Sequence, residues 1–232
     1  MGRDVIIACD FESKERLLEF LDPFEGKSLY LKVGMELFYA AGPDIIREIK
    51  KRGRKIFLEL KLHDIPNTVM KAMKVLSELD VDMCNLHASG TIAMMEAAIK
   101  GLTRPDGTRP LLIAVTQLTS TNQERMEQDL LIKEPIDKVV MHYASNAKAA
   151  GLDGVVCSAL EAQKVHDTCG KEFLTVTPGI RFADGEVGDQ ARVMTPEQAN
   201  KIGSDYIVVG RPITAAPDPV AAYERCVREF VG

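Results

Sequence analysis

The chain has no tryptophan, few aromatic residues (6%) and only five cysteines in 232 residues. Cys9, Cys84, Cys157, Cys169 and Cys226 form no CxxC pair and no metal-ligand spacing, so neither a zinc centre nor a disulfide framework is expected. An odd, scattered set reads as reduced, mostly buried thiols and a cytoplasmic home. Long apolar runs are missing as well. Val5 to Cys9 runs straight into Asp10, and nothing approaches the roughly 18 apolar residues of a membrane helix. Neither a signal peptide nor membrane association is therefore expected. A net charge of −5 gives no electrostatic reason to expect a nucleic-acid partner, and the basic run Lys50 to Lys55 reads as a solvated helix end. With no Ser- or Gly-rich linker to divide it, residues 1–232 read as one domain.

What the chain does contain is an alternation. Eight short apolar runs, "DVIIACD", "LYLKVG", "KIFLELK", "MCNLHA", "LLIAVTQ", "GVVCS", "FLTVTPG" and "YIVVGR", are predicted strands. Amphipathic helices separate them. After Pro66 an apolar stripe runs through Val69, Met73, Leu76 and Leu79. In "TPEQANKIG", Thr195 is the predicted N-cap, Pro196 the first helical residue, Gln198 the partner of a capping box and Gly203 the stop. "DPVAAYERCVREFV" repeats the start with Asp218 and Pro219, and its predicted buried face is Val220, Tyr223, Val227 and Phe230. This pattern predicts an α/β fold, a single closed (β/α)8 TIM barrel. An open doubly wound sheet is the alternative, but it usually has a glycine-rich first turn, which "ACDFESK" does not supply.

Six predicted strands end on functional groups: Asp10, Lys32, Lys61, His87, Thr116 and Arg211. The C-terminal strand ends form the active face of such barrels. His87 is read as a polar core residue. The third strand carries the strongest signal, because alternation puts Phe57, Glu59 and Lys61 on the inner face and Leu58, Leu60 and Leu62 on the outer one. Asp64 follows in the loop before Pro66, and Lys32 adds a second ammonium from the neighbouring strand. A buried ion network that only fixes strand register is one reading of this cluster, although desolvation makes such networks poor stabilisers. A catalytic cluster is the other. Lys61 set among acids suits a proton donor rather than a Schiff-base amine. Farther on, "TPGIR" and "VVGRP" place Gly179, Arg181, Gly210 and Arg211 in the two loops where barrels bind phosphate. The polar stretch "RFADGEVGDQARVM" between them reads as a lid.

"LKVGMELF", "LELKLHDIPNTV", "VTPGIR" and "SDYIVVGRP", in this order along nearly the whole chain, resemble the orotidine 5'-monophosphate decarboxylase family. The resemblance implies conversion of orotidine 5'-monophosphate to uridine 5'-monophosphate in pyrimidine synthesis, with no metal or organic cofactor. It also implies a homodimer with shared active sites. Lys32, Glu59, Lys61 and Asp64 would form the charged tetrad, with Lys61 donating the proton to C6. Asp64 and Thr68 would come from the partner subunit. Asp10 would hold the ribose, Thr119 the pyrimidine, Gln190 the base and phosphate from the lid, and Arg181, Gly210 and Arg211 the phosphate. One departure stands out: the family pattern Asp-x-Lys-x-x-Asp reads Glu59-x-Lys61-x-x-Asp64 in this chain. The extra methylene makes a nucleotide-binding protein with impaired chemistry one alternative; the barrel and phosphate site alone also suit a phosphosugar decarboxylase or aldolase with Mg²⁺ held by carboxylates.

Overall fold

The computed structural model describes residues 3–184 and 193–232. All eight expected strands are present: β1 (Asp4–Ala8), β2 (Tyr30–Gly34), β3 (Lys55–Leu62), β4 (Met83–His87), β5 (Leu111–Val115), β6 (Gly154–Val156), β7 (Leu174–Thr177) and β8 (Tyr206–Val209). They pair in parallel and in sequence order. The sheet closes where β1 returns to β8, with Ile6 opposite Val208, so the open-sheet alternative falls. At least one helix follows each strand and covers the barrel's outside.

Alternation along the strands divides the core into two layers. Ile6, Tyr30, Phe57, Met83, Ile113, Val176, Tyr206 and Val208 fill the barrel interior, where the Tyr30 and Tyr206 rings meet edge to face at 6.0 Å. Their strand neighbours, among them Val5, Ile7, Leu31, Ile56, Leu58 and Leu86, pack outward against the helices. Burying each such side chain contributes about 1.5–3 kcal/mol, which is the main force holding helices to barrel.

The helix ends behave largely as their sequences predict. Pro66–Ser77 buries Val69, Met73 and Leu76, with Leu79 buried just beyond it. Pro196–Ile202 starts on the reciprocal Thr195–Gln198 capping box and stops at Gly203, whose φ of 93° is left-handed. In Pro219–Phe230 the Asp218 carboxylate accepts the Ala221 N–H. The buried stripe of that helix is Tyr223, Cys226 and Phe230, while Val220 and Val227 are only half-buried. The expected face is therefore rotated towards the thiol. All five cysteines are buried, and burial pushes the thiols of Cys9 and Cys84 up to about 12. The basic run is not uniformly solvated, because Arg54 is buried and donates from Nη2 to the Phe24 carbonyl at 2.8 Å. No helix among the described residues is long and apolar enough to cross a membrane.

Candidate active site

A cavity of about 440 Å³ opens at the C-terminal ends of the strands. Its floor is apolar, built by Ala8, Val115, Val156 and Val208. Polar groups ring that floor. Asp10 lies just past β1, Lys32 on β2, Glu59 and Lys61 on β3, and Gln117 and Thr119 beyond β5.

On the β1–β3 side the charges form a continuous chain. Lys32 Nζ lies 2.9 Å from Asp10 Oδ1 and 2.9 Å from Glu59 Oε2, while Glu59 Oε1 lies 3.2 Å from Lys61 Nζ. Each oxygen of Glu59 thus serves a different lysine. Burial alone would lower the Lys32 pKa, but attraction from Glu59 and Asp10, together with hydrogen bonds to both, holds it above the ordinary lysine value. Gly34 leaves room for this chain, since a Cβ there would lie 3.2 Å from Asp10 Oδ1 and 3.3 Å from Lys32 Nζ.

The backbone of β3 is irregular at this site. Leu58 pairs with Cys84 and Leu62 with Leu86, so four steps along β3 match two along β4. Lys61 takes up the slack in a left-handed conformation, φ 52°, and its N–H donates to Asn85 Oδ1 at 2.8 Å. The slip is an even number of residues, so Glu59 and Lys61 both still line the cavity as strand alternation predicts.

The other strand ends contribute the glycine turns. Gly179 has a φ of 82°, which a side chain rarely tolerates. Its carbonyl accepts the Met194 N–H, and the Met194 carbonyl accepts the Arg181 N–H, which pins the turn after β7. Arg181, Gly210 and Arg211 line the cavity, with Arg211 opening a short helix directly after β8.

Several expected residues lie elsewhere. Asp64 and Thr68 are exposed and do not line the cavity of this chain, where Asp64 Oδ1 accepts the Ile65 N–H. Gln190 and most of the expected lid fall outside the described residues. Thr116 is buried and donates to the Val156 carbonyl, so the functional group β5 offers is Gln117 instead. Counting by twos from Ile113 and Val115 would have found it. His87 is half-buried beside His63, with ring centroids 5.7 Å apart; burial, then His63 and Lys61, lower its pKa. Cys157, expected only as a buried thiol, lines the cavity, and Asn85 carries no sequence signal because a lone asparagine in an apolar run makes no pattern.

A closed parallel barrel that gathers ammonium, carboxylate, amide and guanidinium groups around one cavity at its C-terminal face has the architecture of a (β/α)8-barrel enzyme. The model of the orotidine 5'-phosphate decarboxylase / HUMPS family matches residues 3–226. The chain is 55% identical to an orotidine 5'-phosphate decarboxylase from Geobacillus thermodenitrificans, covering 100% of this chain and 98% of that one. It is 53% identical to the one from Bacillus mycoides, covering 100% and 99%. Among solved structures, the orotidine 5'-phosphate decarboxylase of Lactobacillus acidophilus superposes with a TM-score of 0.87 at 43% identity, covering both chains fully. The chain belongs to the orotidine 5'-phosphate decarboxylase / HUMPS family.

Proposed function

We propose that this chain decarboxylates orotidine 5'-monophosphate to uridine 5'-monophosphate in pyrimidine synthesis, without metal or organic cofactor, as a cytoplasmic homodimer whose residues 1–232 form one catalytic domain. The observation that carries this reading is the unbroken chain Asp10–Lys32–Glu59–Lys61 at the cavity wall. The bond from C6 to the carboxyl carbon breaks, CO2 departs, and the electron pair stays on C6. No neighbouring carbonyl delocalises it. A fixed ammonium beside C6 stabilises the developing charge and then transfers its proton there. Lys61 has that role, and solvent afterwards restores its proton. Glu59 and Lys32 aim it, because a lysine with four rotatable bonds holds a direction only when its head is paired.

Asp10 holds the ribose hydroxyls and Thr119 the pyrimidine. Arg181, Arg211 and the Gly210 backbone take the phosphate, whose binding energy fixes the reacting ring. Gln190 reaches base and phosphate from the lid. Asp64 and Thr68 complete the site from the partner subunit, which fits their exposure in one chain beside Ile65, itself 66% exposed. The Mg²⁺-dependent phosphosugar reading finds less support: among the described residues no three His, Cys, Asp or Glu side chains gather to hold a metal, and Asp10 and Glu59 are both engaged by Lys32.

Incubation with orotidine 5'-monophosphate tests the reading. The substrate's ultraviolet band disappears as uridine 5'-monophosphate forms. Absence of turnover in both this chain and Glu59→Asp rejects it. Tight uridine 5'-monophosphate binding without turnover in this chain, restored by Glu59→Asp, identifies the impaired nucleotide binder instead.

A further inference from the structure

Lys61 reaches the cavity from a backbone that a regular strand would not provide. Its left-handed φ of 52° is uncommon for a residue with a side chain and persists only where surroundings enforce it. What meets it there is Asn85. This residue shares the inward face of β4 with Met83, is 1% exposed, and accepts the Lys61 N–H through Oδ1 at 2.8 Å. The other end of the same amide, Nδ2, is buried without a partner. A leucine would fill the interior without burying an orphan donor, so the useful part of Asn85 is its oxygen. Asn85 itself does not line the cavity.

We propose that Asn85 is a positioning residue for Lys61: its carboxamide oxygen holds the slipped β3 backbone so that the ammonium projects at the reacting carbon. The proposal rests on the decarboxylase reading for its kinetic consequence, but not for its geometry. The direction of a side chain starts at its Cα–Cβ bond, and that bond is set by φ and ψ. Fixing the Lys61 N–H therefore fixes the root of the ammonium, while Glu59 fixes its tip. Misplacement by about 1 Å costs on the order of 100-fold in rate.

Two variants remove the acceptor, Asn85→Leu by shape-matched replacement and Asn85→Ser by truncation short of Lys61; Asn85→Asp retains it. In either of the first two, kcat falls about 100-fold while the Kd for uridine 5'-monophosphate, held chiefly by ribose and phosphate contacts, stays within about threefold. Hydrogen exchange at the Lys61 amide speeds at least about tenfold, with Phe57 and Leu58 unchanged. Asn85→Asp recovers kcat to within about tenfold of the parent and protects the Lys61 amide. Unchanged kcat and unchanged Lys61 exchange in the acceptor-free variants overturn the proposal. So does a parallel loss of kcat and nucleotide affinity with Lys61 exchange unaltered, which marks a merely structural residue. If the parent chain leaves orotidine 5'-monophosphate untouched, the decarboxylase reading fails alone, and amide exchange still decides the role of Asn85.

Discussion

The two ends of the barrel use similar residues for opposite purposes. At the N-terminal end, an aspartate precedes each of β4, β6 and β8 and turns to the strand before it. Asp82 accepts the Ile56 N–H at 2.8 Å, Asp153 the Leu112 N–H at 2.7 Å, and Asp205 the Thr175 N–H at 2.8 Å. Each also holds a basic side chain, Lys50, Arg109 and His166 respectively. At the C-terminal end, Glu59 lies between two lysine ammoniums and Asp10 on one of them. A carboxylate that accepts an N–H from the neighbouring strand ties strands together and has little freedom to take part in chemistry. One whose partners are ammoniums orients charges that chemistry can use. What the carboxylate holds, more than its presence, separates scaffold from site.

Breaking the pattern at its C-terminal end has the largest effect. Lys61→Ala lowers turnover on the order of 10⁴-fold, the loss of proton donor and local cation together, while the melting temperature moves little. A loss of stability with turnover per folded molecule preserved would place Lys61 with the scaffold. Next comes Glu59→Asp, which withdraws one methylene from the bridge and raises kcat by up to about 100-fold. Equal rates would show that the longer acid aims Lys61 equally well. Asp205→Ala inverts the expectation: it removes the acceptor of the Thr175 N–H and hydroxyl, costs about 1–3 kcal/mol in urea unfolding, and leaves kcat of the folded protein nearly unchanged.

The smallest effect is at His87. Its folded-state pKa lies below the ordinary 6.5, so as the pH falls past that value the unfolded chain takes up the proton first. Stability from this residue is complete above about 6.5 and drains away as the pH falls towards the folded value. His87→Gln therefore loses less melting temperature than the parent between about pH 7.5 and 5.5. An identical loss in both would place the acid sensitivity elsewhere.

The sequence makes the barrel plain because each strand carries its own alternation and most helices their own caps; Thr195 with Gln198 and Asp218 with Ala221 are local signals that packing has no reason to override. The charged chain is legible for a related reason: two ionisable side chains, Glu59 and Lys61, on the inner face of one apolar strand demand an explanation. What stays hidden is long-range. The slip between β3 and β4 leaves the Leu58, Leu60, Leu62 pattern intact, because a shift of two residues preserves which face each side chain takes. Nothing local therefore announces the left-handed Lys61 or its dependence on Asn85. Asp82, Asp153 and Asp205 look like ordinary loop aspartates until the neighbouring strand arrives. Arg54 looks solvated until its guanidinium meets the Phe24 carbonyl.

The proposed chemistry requires the Lys61 ammonium to meet the carbon that gives up its carboxyl group. A crystal structure with uridine 5'-monophosphate tests this most directly. Lys61 Nζ is expected within about 3.5 Å of C6, with the phosphate on the Gly210 and Arg211 turn. A nucleotide seated with C6 remote from Lys61, or with its phosphate on another side of the cavity, would contradict it.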